Sequence, residues 1–149
     1  MARMLFVLLT IIFIPSLAVA QQFTPADYMK SLEFYYYQSL TINKLAEVGC
    51  KKHMIGLPAW FSVKAVQEEI LSKSPDKARE NIKKFFANPS HRDVISDFFR
   101  LIDDQRAAKS QSEVDVMCAA MSSSNISEWH IYRKRYFEVS MNIDPKYLR

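Results

Sequence analysis

The sequence predicts an all-α fold: a single compact bundle of about five to six helices, closed by one disulfide and preceded by a cleaved signal peptide. Three observations carry this. Only two glycines occur in 149 residues, Gly49 and Gly56, and no Asn-Gly or Asp-Gly turn appears, whereas a sheet protein of this size spends glycine on hairpins. Four helix-start signals recur at helix-length spacing, at Thr24-Pro25-Ala26-Asp27, Ser74-Pro75, Ser90-His91-Arg92-Asp93 and Ser110-Gln111-Ser112-Glu113. The two cysteines, Cys50 and Cys118, are even in number, and an exported chain favours joining them.

Export itself is read from the N-terminus. Arg3 supplies a positive start, Met4 to Ile14 form an apolar run, and Pro15-Ser16 breaks it before Ala18-Val19-Ala20. That last triplet is the small-x-small pattern a signal peptidase accepts, which makes residues 1–20 the signal peptide and 21–149 one helical domain. The run is about eleven residues, short of the roughly twenty that cross a bilayer as a helix. No cysteine follows the cleavage point to carry acyl chains. The predicted location is therefore periplasmic or secreted.

The first helix is expected from Pro25 to Val48, ending at Gly49-Cys50. Its apolar residues, Tyr28, Leu32, Tyr35, Tyr36, Leu40, Ile42 and Ala46 with Phe34, Leu45 and Val48 behind, cover more than half its circumference. Such a helix is the central one that others pack against. A second is expected over Pro58 to Ser72 with Phe61, Val66 and Ile70 inward. A third runs from Pro75 to Ala87 on Ala78, Ile82, Phe85 and Phe86, and Asn88-Pro89 stops it. The fourth, His91 to Ala108, turns Val94, Ile95, Phe98, Leu101 and Ile102 inward. A short fifth carries Val114, Met117, Cys118 and Met121, the serine run Ser122 to Asn125 reads as a loop, and a sixth spans Ile126 to Val139.

Charge narrows the partners. Loss of Arg3 takes the formal charge from +4 to +3. There is no strong basic stripe to drive counterion release, so nucleic acid is excluded as a partner. No metal or other cofactor is expected: His53, His91 and His130 are far apart, with no i, i+3 or i, i+4 pair. No G-x-S-x-G elbow occurs. The carboxylate pairs Glu68-Glu69, Asp103-Asp104 and Asp93 with Asp97 fall on polar helix faces and read as solvated charge. No catalytic residue is assigned, although Glu33 beside Phe34 and Tyr35 keeps a helical cell-wall hydrolase as a third hypothesis. A second hypothesis is a carrier of a small apolar ligand, its pocket lined by Phe85, Phe98, Met117 and Met121.

Aromatic residues are the most unusual feature. Phe34-Tyr35-Tyr36-Tyr37 is four consecutive rings, which a helix points in different directions. Some must reach the surface, and Tyr37 is the expected one. Trp60-Phe61, and Trp129 with Tyr132, Tyr136 and Phe137, raise the same question. Basic groups gather at Lys51-Lys52-His53 and Arg133-Lys134-Arg135. Aromatic rings interleaved with cations suit an acidic protein surface, or less well an anionic membrane. The expected partner-binding residues are Tyr35, Tyr37, Trp60, Trp129, Arg133 and Arg135. The leading expectation is thus an exported, non-enzymatic protein that binds another protein. Asn125-Ile126-Ser127 also matches a glycosylation sequon, relevant in a eukaryotic source.

The order of elements resembles the periplasmic immunity proteins that neutralise type VI secretion amidases: a small exported helical chain, an aromatic-rich first helix (Phe34 to Tyr37) running into Cys50, and Cys118 on a late helix. The likeness lies in the layout of most of the mature chain and in no specific motif. It implies binding and plugging of a toxin's active site, with a homodimer as one form, and it assigns no contacting residue; without it the expected partner is a toxin or an envelope component.

Overall fold

In the computed structural model, which describes residues 22–148, Thr24 opens the first helix, α1 (Pro25–Glu47). Its backbone N–H and hydroxyl donate to Asp27, and its Oγ1 accepts from the Asp27 N–H at 3.1 Å, closing the predicted capping box. The predicted signal segment lies outside the described residues. Gly49 ends the helix at φ +103°, a left-handed position that a side chain resists, and the chain turns through a 3-10 segment (Cys50–His53). Then follow α2 (Val63–Lys73), α3 (Asp76–Ala87), α4 (Ser90–Ala107), α5 (Gln111–Asn142) and a last 3-10 turn (Pro145–Leu148). No described helix is long and apolar enough to cross a membrane.

The serine run is the main difference from expectation. Fifth and sixth helices are one, α5, of 32 residues. Serine costs a helix only a few tenths of a kcal/mol per residue, and packing outweighs that here. Val114, Cys118, Ser122, Ile126 and Trp129 form a continuous buried stripe that runs straight through the run. Asn125 fits the same path, its side-chain amide donating to the Met121 carbonyl at 2.7 Å while Gln38 donates to its Oδ1 at 2.7 Å. Ser124 is exposed and mid-helix, so Ser124→Pro removes one helical hydrogen bond and no packing. It should lower the unfolding free energy by about 3 kcal/mol in a urea titration. A neutral result would restore the loop.

Helices α1 and α5 run antiparallel as the central pair. Tyr28 meets Tyr136, Tyr35 meets Trp129, Gln38 meets Asn125, and Cys50 bonds Cys118. The main core lies around the first two-thirds of α1, with Leu32, Tyr35, Ile42, Val66, Ile70, Ile82 and Trp129. A second cluster surrounds the disulfide: Leu45, Val48, Ile102 and Val114 beside the two cysteines. The bridge is therefore buried in apolar surroundings, tying the end of α1 to an early turn of α5.

Shorter elements correct smaller expectations. Helix α2 starts at Val63, not Pro58, because the Ser62 hydroxyl caps the Ala65 N–H at 3.1 Å. Ser74 caps nothing. Its hydroxyl donates to the Ile70 carbonyl and lies 2.6 Å from the Tyr136 hydroxyl, with Tyr28 donating to it from 3.3 Å, a buried polar knot between α1, α2 and α5. In α4, Ile95 and Ile102 face inward as expected, but Val94 and Leu101 are 65 % and 54 % exposed. This helix turns Ile102 to the disulfide cluster and lies beside α1, where Lys44 meets Asp103 at 2.8 Å.

Candidate functional site

Helix α5 buries one face against α1 and presents two flanks, each carrying aromatic and basic residues. On the first flank, Arg133 reaches Glu69 of α2 through both its Nε, at 3.0 Å, and a terminal guanidinium nitrogen. The Tyr35 hydroxyl donates to the same carboxylate at 2.6 Å. Burial first, and then the adjoining Glu69 carboxylate, pushes the Tyr35 phenol well above its ordinary range, so it stays a donor. The guanidinium lies near the faces of Trp60, Trp129 and Phe137, 5.3–5.8 Å from their ring centroids.

Four of the six predicted contact residues thus meet in one place, Tyr35, Trp60, Trp129 and Arg133. They hold the fold together there. Tyr35 and Trp129 are fully buried, the indole N–H of Trp129 donating to the Ser39 hydroxyl at 2.9 Å, so neither reaches a partner surface as expected. Arg133 has its charge answered by Glu69. Trp60, by contrast, is exposed, at 44 %. Glu69, expected with Glu68 to be solvated charge on a polar helix face, is instead the acceptor on which this cluster is built.

Tyr37 stands apart from them. It is half-buried, its hydroxyl 2.7 Å from Nδ1 of the buried His91 in a corner made by Phe85 and the α3–α4 turn. Of the four consecutive rings, Phe34 is the exposed one, at 43 %. The wheel of α1 could not show this, because the cover over Tyr37 comes from a different helix.

Phe34 belongs to the second flank. Its ring stacks on Tyr132 with centroids 5.2 Å apart, forming the floor of a groove between α1 and α5. Ile131, 61 % exposed, makes one lip. Lys30 of α1 stands 5.7 Å above the Phe34 ring, and Arg135 of α5 lies 4.8 Å over Phe23 with Glu138 at 3.1 Å. Asp27 also lines the groove, but its carboxylate is engaged by Thr24, whose hydrogen bonds hold it below the usual carboxylate range. Arg135 alone of the predicted contact residues lies here. Lys30, Phe34, Ile131 and Tyr132 complete the surface, and the signal available for them was the rule that adjacent rings on one helix cannot all turn inward.

The carrier pocket does not assemble: Phe85 packs in the main core, while Phe98, Met117 and Met121 surround the disulfide cluster. Lys52 of the other basic group pairs with Asp115 at 2.7 Å. Glu33 is half-buried near Tyr37, where its charge adds to the effect of burial in raising that phenol. His130 approaches the Gly56 carbonyl at 3.0 Å, and among the described residues no three metal-binding side chains gather. No family model matches the chain, and no match was found among curated proteins or solved structures.

Proposed function

We propose that the protein acts outside the cytoplasm as a non-enzymatic binding module, of the immunity or inhibitor kind, whose groove between α1 and α5 receives another protein. The observation that carries this is the Phe34–Tyr132 stack left open to solvent beside Ile131, with Lys30 and Arg135 on its rims. A ring already held against a second ring loses little freedom on binding, and an apolar floor with a basic rim is a protein-recognition pattern. A disulfide buried in an apolar cluster supports maturation in an oxidising compartment.

A photo-crosslinking residue at Ile131, introduced into the protein in its native host, tests the reading. One discrete crosslinked protein is expected, with none from the same residue at exposed Lys77 on α3. Ile131→Asp should weaken capture about tenfold while changing unfolding by no more than about 0.5 kcal/mol. No crosslink at Ile131, or hydrolysis of peptidoglycan or a generic ester by the purified protein alone, would overturn it.

A further inference from the structure

The groove's charge selects its occupant. We infer that it takes an acidic protein segment with apolar anchors, a deduction that rests on the groove being the contact surface. Two cations stand on its rims, one from each helix: Lys30 of α1 and Arg135 of α5. Among the described residues Lys30 makes no ion pair, and Arg135 has only the exposed Glu138 of its own helix. The single acid lining the groove, Asp27, is committed to the Thr24 N–H at 2.9 Å and hydroxyl at 2.7 Å, inside the capping box. An arriving carboxylate therefore meets Lys30, which no carboxylate pairs, and Arg135, whose pairing with Glu138 is solvent-exposed and exchangeable, while Asp27 keeps its charge but is held by its hydrogen bonds at the helix start.

Between the cations the surface is apolar. The open groove that Phe34, Tyr132 and Ile131 line with the rim residues and Ser31 has a volume of about 380 Å³, room for a few side chains rather than a whole element. The opposite flank sharpens the contrast, because its cation, Arg133, is spent on Glu69. A basic segment would face like charges on both rims, and a purely apolar one would leave both unused. The fitting partner is a helix with aliphatic or aromatic anchors on one face and Asp or Glu beside them.

The test uses the mature, disulfide-bonded protein and two synthetic helical peptides of about five turns. Both carry Leu and Phe anchors along one face, one with Glu at the flanking positions and one with Lys. In fluorescence polarisation the Glu peptide should bind at least about tenfold tighter, and weaken as salt rises. Lys30→Glu with Arg135→Glu should remove the preference, and Lys30→Gln with Arg135→Gln, a milder change at the same sites, should reduce it. A Glu peptide that binds no better than the Lys peptide overturns the inference. So does tighter binding to phosphatidylglycerol vesicles than to the Glu peptide, or a preference that survives both double variants. In the crosslinking experiment the two readings separate: a crosslink from Ile131 that persists undiminished in the charge-reversed protein ends the acidic occupant and leaves protein binding standing.

Discussion

Replacing Cys50 and Cys118 together by alanine should lower the free energy of unfolding by about 4 kcal/mol. The bridge closes a span of 68 residues, nearly from the end of α1 to the start of α5, so the unfolded chain gains much freedom when it is cut. Against a domain stability of roughly 5–15 kcal/mol, that is a large fraction. In a domain of this size the melting temperature should fall by on the order of 10 °C or more. The urea slope discriminates the cause. A freed unfolded chain expands and exposes more surface, so the slope should rise in the variant. If the loss came only from packing around the sulfurs, the slope would stay fixed. A variant as stable as the parent would show that the second cluster holds without its staple, and would remove the main physical support for maturation where thiols oxidise.

The all-helical bundle was readable from glycine scarcity and helix starts because both act locally. Thr24 with Asp27 illustrates it: cap, proline and acid sit within four residues, and the structure forms all their bonds. Ser110 with Glu113 repeats the case, the serine N–H and hydroxyl both donating to the carboxylate. What local chemistry could not settle is competition. Ser122 to Asn125 has loop composition, yet Ser122 is small enough to be buried in the stripe that Cys118, Ile126 and Trp129 establish. The Ser74 signal failed in the opposite direction, since a hydroxyl that could cap α3 found a better place among Tyr28, Tyr136 and the Ile70 carbonyl.

The candidate site divides along the same line. Its composition, rings among cations, was visible in Arg133-Lys134-Arg135 and in the run from Phe34 to Tyr37. Which rings stay outside depends on what the other helices cover. Tyr37 is half-covered by the α3–α4 corner, whereas Phe34 meets only the half-exposed Tyr132 ring and the Lys30 side chain of its own helix and stays 43 % exposed. Likewise Arg133 and Arg135 are indistinguishable in sequence, two residues apart on one helix. A separation of 200° around the helix axis places one beside Glu69 and the other beside Phe23.

Trp129 is where fold and surface are joined, and its truncation should be as damaging as loss of the disulfide. Trp129→Ala is expected to cost about 4 kcal/mol, since a fully buried indole packed against Tyr35, Trp60 and Phe61 leaves a cavity that rigid helices cannot collapse. Trp129→Phe keeps a ring and loses the N–H bond and part of the indole's buried volume. The Ser39 hydroxyl is then still satisfied, because it donates to the Tyr35 carbonyl at 2.8 Å, so the penalty should be smaller. Ser39→Ala instead strands the buried indole N–H and should cost about 1–3 kcal/mol. Urea titrations that rank the alanine variant of Trp129 no worse than Ser39→Ala would contradict this account of the core. The indole also underlies Arg133, so Trp129→Phe and Glu69→Gln should couple by more than about 0.5 kcal/mol in a double-mutant cycle. Additivity would mean that the Glu69–Arg133 pair stands on its own geometry. Coupling would mean that the aromatic floor helps to hold the guanidinium on the largely buried Glu69, whereas Arg135 pairs only with the exposed Glu138.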